Sequence, residues 1–352
     1  MKNKLIIIAL AVILTVFSGC KNEITSAAAD DYTLLIYMCG SSLESKNGAA
    51  SDDISELLSA DIPHNVNVVI ETGGAVSWKK HGISAEKLQR YRISDNKPEL
   101  LDEIKLSSMG NSSTLREFID WGTDNFPAKK TALIIWDHGG GFLKGICKDE
   151  IFDNDWLTVD EFDAALKSCS FPYSFDFIGF DACFMANYEI ALVAAKYTDC
   201  MIASEDEEPA GGWNYTEIAN SLGSGDEINA ILSGFSRGNG KEKFTLSAIN
   251  LARLDKVKSV LKNCINKGET AFEKARNSAY RIGEFYDMGD FARQLDIDAD
   301  FSDCVTVVAS DDMRDLSGLS FCFPDESDFA VYLEKCPDDE YALFLRNNFY
   351  ET

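Results

Sequence analysis

The run Thr131-Ala132-Leu133-Ile134-Ile135-Trp136-Asp137-His138-Gly139-Gly140-Gly141 passes without a break from an apolar segment to a polar, glycine-rich one. A second run has the same design: Phe175 to Phe180, then Asp181-Ala182-Cys183. Each apolar segment is short, rich in Ile, Leu and Phe, and stopped at once, the pattern of a strand buried on both faces. In a parallel α/β sheet the carboxyl ends of the strands form the binding edge. The two runs therefore deliver His138 and Cys183 to one edge, where a thiol and an imidazole make a nucleophile and its base.

Outward from these runs, strand-like and helix-like segments alternate. Tyr32–Cys39, Val66–Glu71, Leu88–Ile93 and Cys200–Ala203 read as strands. Ala49–Ala60, Ser113–Asn125, Leu157–Lys167 and Ala186–Lys196 carry apolar residues at helical spacing. Thr158 followed by Glu161 is a capping pattern that opens one of them. The alternation predicts an α/β fold around a mostly parallel sheet. Ser221–Asp226 is the best boundary in the chain. Beyond it Phe244–Leu251, Val305–Ala309 and Leu319–Phe323 read as strands and Leu254–Arg276 as a helix, a subdomain packed on the first part.

Asp137-His138-Gly139-Gly140-Gly141, Gly179-Phe180-Asp181-Ala182-Cys183-Phe184-Met185, Ala203-Ser204-Glu205, and Pro209 through Trp213-Asn214-Tyr215 together resemble the clostripain family of cysteine peptidases, in the caspase-like group. The similarity runs from about Tyr32 to Tyr215, and departs from the family pattern at Ala210, where glycine is expected, and at Phe184, where leucine is usual. It implies a caspase-like α/β fold with helices on both faces of the sheet, and a C-terminal α+β subdomain. Residues 32–222 would form the catalytic core and 223–352 the subdomain.

The implied reaction is endopeptidase cleavage through a thioester. Cys183 attacks, and His138 takes the thiol proton and later protonates the leaving amine. The backbone N–H groups of Gly139 and Gly140, with that of Cys183, are candidates for an oxyanion hole; a plain tight turn is the other reading of these glycines. Asp181, two residues from Cys183, opposes thiolate formation and so suits substrate binding better than activation. In the family the matching aspartate goes with cleavage after Arg or Lys; a strand-end turn aspartate is the alternative. Glu205, Glu207 and Trp213 are candidates for another wall of the cleft. Family members are processed between the His and the Cys, which points to self-cleavage after Lys148 or Lys144, Lys148 favoured as the one further from the His-bearing turn.

Competing readings are a peptide-binding surface protein without activity, a transpeptidase using the same acyl-enzyme, and a zinc site. Zinc requires three or four ligands, and neither a second nearby His nor a CxxC pair is present. No cofactor is required by this chemistry. Calcium is allowed by the resemblance, although no EF-hand spacing occurs.

The 352 residues carry a formal charge of −25. That argues against a phosphate backbone as partner and suits protein or peptide substrates with basic residues. Lys2 and Lys4 precede an apolar run, Leu5–Phe17, too short to span a bilayer and ending in Ser18-Gly19-Cys20. This resembles a bacterial lipoprotein signal, residues 1–19, with lipidation at Cys20 and a tether over 20–31. A plain secretory signal is the alternative. The expected location is the bacterial cell envelope, extracytoplasmic and held to the membrane by the lipid. Nine further cysteines show no disulfide spacing and read mostly as small buried hydrophobes.

Overall fold

The computed structural model of the chain describes residues 29–94, 96–170 and 174–350. The leader, the lipidation site Cys20 and all but the last residues of the tether lie outside the described residues. Nine strands form the central sheet: β1 (Asp30–Cys39), β2 (Val66–Gly73), β3 (Lys87–Ser94), β4 (Lys97–Lys105), β5 (Ala128–Trp136), β6 (Ile178–Asp181), β7 (Cys200–Ala203), β8 (Thr245–Asn250) and β9 (Val305–Ala309). Their order is β9-β8-β7-β6-β5-β1-β2-β3-β4. The five from β7 to β2 run parallel, while β3 and β4 on one side and β8 on the other are antiparallel to their neighbours. The two strands after Ser221–Asp226 that enter this sheet extend it beyond β7.

Both faces of the sheet are covered, which is why its central strands are apolar throughout rather than alternating. Leu35, Tyr37 and Cys39 of β1 face one core with Leu133, Ile135 and Phe180. Leu34, Ile36 and Met38 face the opposite core with Ile134 and Trp213. The period of two thus divides one continuous run between two helical layers. Helix starts follow local chemistry. Asn111 accepts from Ser113 N at Ser112–Asn125, and Thr158 and Glu161 form a reciprocal capping box at Val159–Ser168.

One expectation, a long helix, is corrected, and two features are added to the sequence reading. Lys97–Lys105 is an edge strand whose exposed, charged pattern hides it from a search for buried runs. The single helix expected over Leu254–Arg276 is two, Leu254–Ile265 and Glu269–Arg276, broken at Gly268 with φ +83°. Ser320–Cys322 belongs to a separate three-stranded sheet with Arg281–Ile282 and Phe285–Asp287. The strand order turns back between β1 and β5: the chain builds β2 to β4 on one side, then returns to lay β5 and β6 on the other. A crevice at the carboxyl ends beside such a reversal is where this architecture binds ligands.

Candidate active site

Residues 137–141 follow β5 and residues 182–187 follow β6, and the two strands are paired with Trp136 opposite Asp181. His138 and Cys183 are thereby held on adjacent turns and line the same cavity of about 380 Å³. Gly139 fixes how closely the turns approach. A Cβ there would lie 1.8 Å from the carbonyl oxygen of Cys183, so only glycine fits. Asp137 holds the His-bearing turn from below. It is buried, accepts from Ser41 Oγ, and accepts from Lys148 N at 2.5 Å. Burial pushes its carboxyl up to about 7 against those hydrogen bonds.

His138 Nε2 lies 3.0 Å from Ser42 Oγ, at the end of the turn that follows β1. Burial and then the nearby Lys148 and Lys46 cations hold the imidazole below its ordinary value. The Cys183 sulfur accepts from Glu208 N at 3.3 Å. Burial pushes the thiol up to about 11, and the carboxylates of Glu208, Glu207 and Asp181 act in the same direction. No helix begins directly behind the thiol: Tyr188–Ala194 starts five residues on, after a turn in which Phe184 adopts φ +63°. At neutral pH the resting pair is therefore a neutral thiol beside a neutral imidazole.

The rest of the cavity is acidic. Asp181, Glu208, Asp53, Glu56 and Asp52 all line it. Asp181 Oδ2 accepts from Tyr215 OH at 2.8 Å. Glu208 Oε1 accepts from Ser204 Oγ at 2.8 Å, while its buried Oε2 has no donor among the described residues. Burial and then the neighbouring Asp181 carboxylate raise Asp53 well above the carboxylate range, against the hydrogen bond that it accepts from Trp136 Nε1 at 2.7 Å. Burial raises Asp181 to about 6, and Glu208 is raised strongly by burial and by Asp181 beside it. Asp181 and Glu208 thus share a proton near neutrality, the state two carboxyls adopt when buried together without a cation.

Several expected site residues are placed elsewhere. Gly140 N donates to Gly145 O at 2.9 Å, closing a turn, so it is not available to an oxyanion. The N–H groups of Gly139 and Cys183, in contrast, have no acceptor among the described residues. Glu205 is fully buried on the far side of its loop, against Asp287, and does not reach the cavity. Trp213 is fully buried beneath Gly179 and supports the cavity floor through Glu208 rather than touching what enters. Glu207 is exposed and does not line the cavity; Glu208 takes that place. Lys148 sits in a short hairpin, Lys148–Asp149 with Asp155–Trp156, on the other side of His138 from the acids, and Lys144 is exposed at the end of the turn Gly141–Lys144.

Asp53, Glu56 and Ser42 were not found from sequence. Asp52 and Glu56 stand four apart on one helix, a shared face that was legible, but nothing local says the face meets Cys183. Among the described residues no group of three or more His, Cys, Asp or Glu is arranged to hold a metal ion. All nine described cysteines are free thiols. No helix among the described residues is long and apolar enough to cross a membrane.

A family model described as the clostripain family matches residues 36–320. The chain is 26% identical over 230 residues to clostripain of Hathewaya histolytica, an alignment covering 55% of this chain and 43% of that protein. The chain thus spans less than half the length of that curated relative. Among solved structures it resembles the secreted C11 cysteine protease iotapain of Bacteroides thetaiotaomicron, with a TM-score of 0.70, 15% identity, and coverage of 90% of this chain and 99% of that one. An inactive zymogen C11 protease of Parabacteroides distasonis gives 0.68, 20%, 92% and 99%. At these identities the structural likeness carries the fold.

Proposed function

This chain belongs to the clostripain family, and from that premise we propose that it is a cysteine endopeptidase that cuts after Arg or Lys. The observation that carries the reading is the cavity itself: a thiol and an imidazole on neighbouring strand ends open onto six carboxyl groups, one with a buried oxygen lacking a donor among the described residues. A guanidinium or ammonium entering there supplies the missing donors and displaces the proton shared by Asp181 and Glu208. The peptide carbonyl then lies over Cys183.

Ser42 occupies Nε2 of His138, which leaves Nδ1 to take the thiol proton as the carbon–sulfur bond forms. The N–H groups of Gly139 and Cys183 receive the oxyanion. His138 returns the proton to the leaving amine, and water resolves the thioester by the same path. The natural substrates are proteins or peptides with accessible basic residues. The leader-like sequence before Cys20 supports a location outside the cytoplasmic membrane, with the enzyme held by lipid. Incorporation of a labelled fatty acid that survives Cys20→Ala would remove the anchor from this reading.

The test is labelling with a thiol-reactive peptide ending in Arg or Lys, under reducing conditions. The expected result is a single adduct on Cys183, lost in His138→Ala at neutral pH. A folded wild-type protein that takes up no label is a binding protein, and the enzymatic reading fails.

A further inference from the structure

His138 lines two cavities, not one. The second, of about 430 Å³, lies across the imidazole from the acids, between the Gly139–Lys144 turn and Phe285. Its charge is of the opposite sense. Lys144, Lys148 and Arg281 face Glu284 and Asp325. Asp325 is paired with Arg281 at 3.4 Å and with Arg276 at 3.8 Å. The Glu284 carboxylate accepts from Asp325 N at 3.1 Å. Lys144 and Lys148 have no carboxylate partner among the described residues, and the Lys148 ammonium is set over the Trp156 ring at 5.7 Å from its centroid. Three cations against two carboxylates leave a formal charge of +1, with both ammonium groups unpaired, in a recess walled by Trp156, Phe184 and Phe285.

We propose that this second cavity receives the segment just after the scissile bond and selects an acidic residue there, at the first or second position. The inference rests on the peptidase reading above. With the basic side chain among the acids, the leaving nitrogen must lie on the side that the protonated imidazole faces, because His138 has to donate to it. The chain beyond that nitrogen then runs into the second cavity, which His138 also lines. Lys144 and Lys148 attract a carboxylate there, and a third cation is repelled. The enzyme accordingly reads a charge pair across the bond, positive before and negative after. Lys144 is exposed and Lys148 half-buried, so the preference weakens with salt.

The experiment uses the full chain and quenched fluorescent peptides identical through the cleaved Arg or Lys, with Asp-Glu, Ala-Ala or Lys-Lys immediately after it. A basic-residue amidomethylcoumarin, which has no residue after the bond, serves as control. The expected order in kcat/KM is Asp-Glu above Ala-Ala above Lys-Lys, roughly fivefold per step at low salt. Lys144→Ala should shrink the spread severalfold and leave the coumarin rate unchanged; Lys144→Glu should invert it. Equal cleavage of the three peptides, with the coumarin substrate still cut, overturns the inference and leaves the peptidase standing. A folded protein that cuts neither peptides nor the coumarin overturns both.

Discussion

The thiol of Cys183 should become easier to ionise when a cation fills the acidic cavity. In the free protein, burial and the carboxylates of Glu208, Glu207 and Asp181 push it up to about 11 from the ordinary 9.0. At pH 7.5 the thiolate fraction is then about 0.03%, against about 3% for an unperturbed thiol of pKa 9. A unit cation about 7 Å from the sulfur, in surroundings of effective dielectric about 20, favours the thiolate by roughly 2 kcal/mol, more than one pH unit. Burial is the larger cause and is not relieved, so the shift is partial. The assay is alkylation of Cys183 by iodoacetamide as a function of pH, followed by intact mass, with and without saturating methylguanidine. The midpoint should fall by about one unit, and alkylation at pH 7.5 should rise roughly tenfold, because the thiolate is the reacting species. In Glu208→Gln the midpoint of the free protein should already be lower, since Gln keeps the backbone N–H on the sulfur and removes the charge. A midpoint unmoved by the cation at demonstrated occupancy, in wild type and variant alike, would refute the electrostatic coupling between cavity and thiol.

Asp181→Asn should lower kcat/KM for basic substrates by about two orders of magnitude while sparing the fold, because the Tyr215 hydroxyl can still donate to the amide oxygen; unchanged relative rates on basic and neutral peptides would assign the selection to Glu208 and Asp53 instead. Gly139→Ala should abolish activity and cost about 1–3 kcal/mol in urea unfolding, since the two catalytic turns must separate to admit the methyl. Thermal stability should be higher near pH 5 than near pH 8. Burial raises Glu71, Asp137 and Glu189 to about 7 in the folded chain, so the fold binds more protons than the unfolded chain between their ordinary values and that point, and stability is lost as pH rises through it. Mass spectrometry of purified protein beside Cys183→Ala should show cleavage after Lys148 or Lys144 in the wild type alone; single intact chains in both samples would remove self-processing.

What was legible in the sequence is what strands make local. An apolar run followed at once by His138, and another by Cys183, identifies strand ends, and strand ends in a parallel sheet share an edge. The acids that complete the cavity are not legible in this way. Asp53 and Glu56 lie on the helix after β1, about 130 residues before Cys183, and only the placement of β5 beside β1 brings them together. Among the consecutive acids 205–208 the loop has no period, so nothing tells Glu208, which faces the cavity, from Glu205, which faces Asp287. Gly140 leaves two readings open for a related reason. A glycine run advertises free N–H groups, but which of them is used up depends on the turn it closes, here onto Gly145.

The same hydrogen bonds that position His138 bear on what a cut in the neighbouring hairpin would do. Asp137 takes the N–H of Lys148, on the amino side of the bond after that residue. Asp149, on the other side of that bond, accepts from Met109 N at 2.9 Å and from Ile151 N at 2.8 Å. Each new end would remain tied to a buried carboxylate. The piece ending at Lys148 contributes β5 and the piece beginning at Asp149 contributes β6, and these strands pair along Leu133–Trp136 and Ile178–Asp181. Separation would require stripping the centre of the sheet, where each buried Leu or Ile contributes roughly 1.5–3 kcal/mol. Scission there therefore changes the freedom of the hairpin and the reach of Lys148 over the second cavity, while the His138–Cys183 geometry, set by Gly139 and the strand pairing, stays as it is.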